Sequence, residues 1–145
     1  MKRAFDFLVS ITSIALGAPV IVGLILIIKC SDTGPVLFRQ KRVGRYCQEF
    51  TIYKFRTMVV DAERRGGHAT MENDPRITRI GRILRKTSMD ELPQLFNVVC
   101  GDMSIVGPRP DVPAQQSEYS PEDWKLRHSV RPGITGLAQS TSRSS

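Results

Sequence analysis

The chain has 145 residues, 21 lysines and arginines against 14 acids, and a formal net charge of +7. That length allows one small domain with a modest core, and the basic excess leaves nucleic acid, anionic lipid headgroups and phosphorylated substrates as partner classes. Cys30, Cys47 and Cys100 are odd in number, with no C-x-x-C or Cys/His metal spacing. They fit a reducing compartment, as structural thiols.

Residues 7–28 carry no charge over 22 positions. As a helix they would measure about 33 Å, enough to cross a hydrocarbon core of roughly 30 Å. A cleaved signal peptide fits poorly, because apolar residues continue past Gly17-Ala18 and Pro19 would follow any cut there. Pro19 removes a backbone donor and blocks the carbonyl one turn earlier, so a kink or break is expected at Ala18-Pro19. Lys2 and Arg3 precede the run, and Lys29, Arg39, Lys41, Arg42 and Arg45 follow it. Positive charge marks the cytoplasmic side, so a hairpin that enters and leaves through one leaflet satisfies both flanks; a kinked single span is the alternative. Arg3 and Asp6 are spaced to pair at the interface.

Asp32-Thr33-Gly34-Pro35 is a turn cluster, after which Val36-Leu37-Phe38 and Phe50-Thr51-Ile52-Tyr53 read as the strands of a short hairpin. If the second strand persists, Lys54 and Arg56 share a face, where two cations can hold a diphosphate or form a solvated edge. Residues 61–73 read as a short helix and a loop containing His68, which has no metal-ligand partner at useful spacing. From Pro75, Ile77, Ile80, Ile83 and Leu84 line one helical face, and Arg76, Arg79, Arg82, Arg85 and Lys86 cover the rest. A basic amphipathic helix suits an anionic bilayer surface, at about 1 kcal/mol per basic side chain. Nucleic-acid binding is disfavoured by the neighbouring apolar segment and the lack of aromatic residues between the cations.

Asp90 and Glu91 then open an apolar run with helical spacing, Leu92, Leu95, Phe96, Val98 and Val99, which stops at Gly101. The acids fall in a first helical turn. Ser88-x-x-Glu91 is also a capping-box pattern, so a helix start alone could explain the pair. Beyond a short apolar stretch, Pro108-Arg109-Pro110 presents Arg109 on a stiffened backbone, as an anion clamp requires. Ser120-Pro121-Glu122-Asp123 starts another helix that carries Trp124 and Leu126 inward. Arg131-Pro132-Gly133-Ile134-Thr135-Gly136 is turn-rich, and residues 140–145 carry no packing signal.

Lys54-Phe55-Arg56-Thr57-Met58, Arg85-Lys86-Thr87-Ser88-Met89-Asp90-Glu91-Leu92-Pro93-Gln94-Leu95, Gly107-Pro108-Arg109-Pro110 and Arg131-Pro132-Gly133-Ile134-Thr135-Gly136, in that order after an apolar segment, resemble the bacterial sugar transferases. These are monotopic phosphoglycosyl transferases. The resemblance covers nearly the whole chain and implies an α+β, mainly helical fold. Residues 1–29 would form a re-entrant membrane helix broken at Ala18-Pro19. Residues 30–145 would form a cytosolic catalytic domain, with interfacial amphipathic helices and a short β-hairpin, on the cytoplasmic face of the bacterial inner membrane.

The implied reaction transfers a sugar 1-phosphate from a UDP-sugar to a polyprenol phosphate and starts a surface glycoconjugate. Asp90 matches the family nucleophile, which forms an acyl-phosphate and expels UMP. Glu91 would help hold Mg²⁺, together with Asp90, or manage a proton. Lys54, Arg56, Arg85, Arg109 and Arg131 match positions expected to bind substrate phosphates. Two departures stand out. Ala18-Pro19 replaces the common Ser-Pro pair, and Ser140-Thr141-Ser142-Arg143 stands where an Asn-Gly-Arg element and a further C-terminal segment usually follow. The alternative from another class is a non-catalytic membrane-surface module that binds anionic lipids through residues 76–86.

Overall fold

The computed structural model describes residues 1–31, 33–62 and 74–136. The expectations for His68, most of the 61–73 segment and residues 140–145 lie outside the described residues.

Helix α1 (Lys2–Ser31) is one helix with Pro19 inside it. Helical backbone continues through Ala18 and Pro19, where a kink or break was expected. Proline at this position forfeits one bond to Ala15 and presses on that carbonyl, and a helix that keeps its remaining bonds absorbs the clash by bending. Among the described residues, α1 is the one helix long and apolar enough to cross a membrane.

Both ends of α1 are fastened to the rest of the chain. At the start, Arg3 donates to the carbonyls of Val98 and Val99, and the buried Asp6 accepts from Ser104 Oγ at 2.8 Å. Asp6 therefore turns inward to Ser104, and Arg3 serves another helix's end. At the finish, Ile28 is buried with Phe55 and Leu84, flanked by Ile21, Leu24, Val36 and Leu37. Between these contacts, Ile11, Leu16, Ala18, Pro19 and Val20 are exposed.

Strands β1 (Leu37–Val43) and β2 (Glu49–Phe55) form an antiparallel hairpin, longer than the sequence pattern indicated. Its register sets Phe38 opposite Lys54 and Arg42 opposite Phe50. Helix α2 (Arg79–Thr87) follows, with Thr78 as N-cap: its side chain accepts from the Gly81 amide at 2.9 Å. Ile77 falls before the helix, bridged to Met58. The inward face of α2 is thus narrower than its apolar spacing suggested. Ile80 is half-buried and Gly81 and Leu84 are buried, while Ile83 stays 63% exposed among the basic residues.

A 3₁₀ turn (Met89–Glu91) leads to α3 (Gln94–Cys100), which Gly101 ends in a left-handed conformation, φ 99°. Asn97 is buried in α3 and knits it to the hairpin. Its side chain accepts from Tyr53 N and donates to Thr51 O, while Val98 packs with Ile52 and Met103. Strand β3 (Ser104–Val106) runs parallel to β4 (Gly133–Thr135), with Ser104 opposite Gly133. The segment read as turn-rich therefore supplies a strand. Gly107 and Gly133 make this possible, since a Cβ on Gly133 would lie 2.1 Å from the Gly107 nitrogen.

Between these strands comes α4 (Pro121–Arg127), capped by Ser120 as expected, with Trp124 buried. Leu126, expected inward, is 73% exposed, because seven residues with Trp124 inward leave Leu126 on the opposite side. The three cysteines are free and exposed, not packed inside.

Candidate active site

The acids at the chain's centre are positioned by the joint between α2 and α3. Gly81 lets α2 lie directly on the end of the hairpin: a Cβ there would stand 1.9 Å from the Thr57 carbonyl oxygen. One turn later, Arg85 Nε donates to Thr57 Oγ1 at 2.9 Å. Ser88 closes α2 in a left-handed conformation, φ 58°, and turns the chain into Met89–Glu91. It does not cap the next segment through its side chain, so the capping-box explanation of the pair fails. Nor do the acids begin a regular α-helix. Pro93 delays that start to Gln94, and Asp90 and Glu91 sit in the tight connection.

Lys54 reaches across from β2, its Nζ 2.7 Å from Glu91 Oε1. Asp90 is half-buried, and burial pushes its carboxyl above the usual aspartate range. The Lys54 charge pulls it back, Glu91 pushes it up again, and a backbone hydrogen bond and Arg85 favour the anion. The net direction is upward. Such a carboxylate is more basic than a fully solvated one and keeps cations beside it for an anionic substrate.

The structure thus gathers Asp90, Glu91, Lys54 and Arg85. It places the other three cations differently. Arg56 is buried, donates to Thr33 O at 3.3 Å, and occupies space that only glycine leaves at Gly34, where a Cβ would lie 2.2 Å from its Nη1. Arg131 donates from Nε to Gly101 O at 2.8 Å, so with Arg3 it covers the carboxyl end of α3. Cations suit that end of a helix.

Arg109 is exposed in a separate basic group. Arg127 bonds both its carbonyl and the Asp111 carboxylate, and Arg42 donates to Pro110 O. Burial, followed by the Arg109 charge, lowers the Arg42 pKa. Arg42 is on the same hairpin face as Lys54, four positions along β1 from Lys54's partner Phe38, or about 13 Å. Sequence reading missed Thr57, Gly81, Asn97 and this role of Arg42. The available signal was slight: a glycine and an asparagine interrupting apolar helical stripes.

A metal was expected at the acid pair. Among the described residues, no group of three or more acidic, histidine or cysteine side chains could cage one. Mg²⁺ does not require such a cage, since it is commonly held by one or two carboxylates with substrate phosphates and water. Two adjacent hard-oxygen donors fit that share, although Lys54 already engages one oxygen of Glu91.

A carboxylate pair with Lys54 and Arg85 beside it, on a small domain fastened to a helix long and apolar enough to cross a membrane, is an arrangement that can meet anionic groups. The whole chain, residues 1–145, matches the bacterial sugar transferase family, to which it belongs. It is 47% identical over 146 aligned residues to an exopolysaccharide production protein of Rhizobium leguminosarum bv. phaseoli, covering 96% of this chain and 72% of that protein. It is 43% identical to a UDP-N-acetylgalactosamine-undecaprenyl-phosphate N-acetylgalactosaminephosphotransferase of Aeromonas hydrophila, and 45% identical to a UDP-glucose:undecaprenyl-phosphate glucose-1-phosphate transferase of Escherichia coli K12. In each case 96% of this chain aligns, with 33% and 30% of the relative's length respectively. The chain thus spans about a third of those two larger proteins.

Proposed function

We propose that the protein transfers a sugar 1-phosphate from a UDP-sugar to a polyprenol phosphate at the cytoplasmic face of the bacterial inner membrane, opening the synthesis of an exopolysaccharide, capsule, O-antigen or glycoprotein glycan. The observation that carries this reading is the Asp90 carboxylate, half-buried and more basic than usual, with Lys54 and Arg85 beside it. The activities for which the two transferase relatives are named suggest the substrate classes.

In the proposed course, an Asp90 oxygen attacks the sugar-proximal phosphorus. The bond from that phosphorus to the bridging oxygen breaks, and UMP departs with the electron pair. An oxygen of the polyprenol phosphate then attacks the same phosphorus and breaks its bond to Asp90, restoring the carboxylate and giving a polyprenyl diphosphate sugar. Lys54 and Arg85 stabilise charge on the phosphoryl oxygens, and Lys54 holds Glu91 in place. Mg²⁺ held by Asp90, Glu91 and substrate phosphates would supply charge neutralisation when bound.

The membrane placement rests on α1. α1 meets the domain at both ends and has an exposed apolar midsection around Pro19. That pattern favours an arch whose crown enters one leaflet and returns, the monotopic arrangement. The exposed Ile83 among Arg79, Arg82 and Lys86 offers α2 to anionic headgroups.

The test is covalent capture. Incubating the protein with Mg²⁺ and a UDP-sugar labelled in the sugar-proximal phosphate, without lipid, should leave label on the protein after rapid quenching, and polyprenol phosphate should chase it into lipid. Asp90→Asn should abolish both. Full turnover by verified Asp90→Asn protein would leave only direct transfer between the two substrates.

A further inference from the structure

Four consecutive carbonyls around Arg109 are each held by a different donor. Pro108 O accepts from Gly133 N at 2.8 Å, Arg109 O from Arg127 Nη2 at 3.2 Å, Pro110 O from Arg42 Nη1 at 3.0 Å and Asp111 O from Val43 N at 2.9 Å. Three elements, β4, α4 and β1, therefore grip residues 108–111, where two prolines already fix φ. A surface turn can leave its carbonyls to water, so this fastening calls for a reason. The side chain at its centre is treated in the opposite way. Arg109 is exposed, and among the described residues its guanidinium has neither a hydrogen bond nor an ion pair. Asp111, two residues on, is buried and committed to Arg127, which bonds both its oxygens through Nε and Nη2. His128 Nε2 stands 3.5 Å from the same carboxylate, and the Tyr119 ring centre lies 5.7 Å from the Arg127 guanidinium. Burial first, and the Arg109 charge second, disfavour the Arg42 cation. Two guanidinium groups are kept near each other with Asp111 already engaged, an arrangement that an anion from outside would relieve.

We infer that Asp111 and Arg127 are positioning residues, which lock the backbone of Arg109 so that its guanidinium stands ready for a phosphate of one of the substrates. This deepens the proposed function and rests on it. Arg127 is the link, because its fork meets the Asp111 carboxylate and the Arg109 carbonyl at once. A lysine has a single ammonium and no such fork. An arginine on a mobile loop gives up backbone and side-chain freedom when it binds an anion; here the backbone share is settled during folding. Asp111 and Arg127 act through Arg109 and need not meet the ligand themselves.

The test compares the full chain in nanodiscs with Asp111→Asn, Arg109→Gln and the double variant. Calorimetry follows the binding of UDP, standing for the donor, and of farnesyl phosphate, standing for the acceptor, and needs no turnover. Asp111→Asn should weaken one probe by about three- to tenfold when residue 109 is arginine, and by less than about twofold in the Arg109→Gln background. The probe that shows this dependence identifies the substrate that Arg109 meets. Arg127→Lys should behave as Asp111→Asn does, and takes its place if that variant fails to fold. A purely structural role would instead lower Tm and weaken binding alike in both backgrounds. Equal losses in both backgrounds for both probes, wild-type affinities in a folded Asp111→Asn protein, or no binding of either probe by the wild type would overturn the inference. If a probe binds with this dependence yet no UDP-sugar loads the wild-type protein, the proposed function fails and the positioning role stands.

Discussion

Replacing Lys54 with methionine keeps the stem and removes the charge, and the structure sets three consequences. The Nζ to Oε1 distance is 2.7 Å, with the Lys54 and Glu91 side chains 21% and 24% exposed. A charged hydrogen bond at that burial contributes about 1–2 kcal/mol, so Tm should fall by about 3–10 °C in a chain of this size. Loss of a cation that stabilises phosphoryl charge should reduce kcat by about 10²–10³-fold. The third consequence is directional. Lys54 lowers a carboxyl that burial has raised, so without it Asp90 takes up its proton at still higher pH. If Asp90 sets the acid limb of kcat against pH, that limb should move upward, with Lys54→Arg restoring most of the wild-type position. Initial rates of UMP release from pH 4 to 8, alongside thermal unfolding, measure all three. A folded Lys54→Met protein whose acid limb is unmoved or shifted downward would refute the assignment of Lys54 to Asp90.

Gly81→Ala drives a methyl into the Thr57 carbonyl, so it should cost about 1–3 kcal/mol by denaturant unfolding and depress activity through the displaced Arg85. Asp90→Asn should abolish turnover without lowering Tm at neutral pH. With the folded pKa raised, the native state binds more protons than the unfolded between the ordinary and raised values; stability falls as pH climbs through that window, and removing the charge relieves the cost. Arg79→Gln with Arg82→Gln should weaken sedimentation with anionic vesicles, most clearly at low salt, while sparing loading from soluble donor. Chelation by EDTA should stop UMP release, and added Mg²⁺ should restore it; undiminished release in EDTA would exclude the metal.

The hairpin, the Gly101 stop and the Ser120 cap were legible because each depends on local backbone chemistry: alternation, a left-handed position and an N-cap side chain. The pairing of β3 with β4 was not legible, because three-residue strands have too little alternation and their register rests on the contact of Gly107 with Gly133. At the candidate site, sequence pointed to Asp90 and Glu91 but assigned them to a regular helix; Pro93 and the left-handed Ser88 make the tighter turn. Spacing could not separate Lys54 and Arg85, which meet the acids, from Arg131, which bonds the end of α3. Arginine serves both tasks, and only the fold decides between carbonyl and substrate.

The double fastening of α1 has a mechanical consequence. An ordinary membrane-spanning helix answers a thicker or thinner bilayer by changing its tilt. α1 has little such freedom, because Arg3 and Asp6 pin one end and Ile28 pins the other. In the proposed placement, with its apolar midsection immersed, the depth of immersion would be a dimension of the protein and not of the lipid. The height of Asp90 above the headgroups would then be set in advance, as a tool is held by a fixed jig. Cutting the Asp6 to Ser104 tie would loosen the jig without touching a single catalytic group.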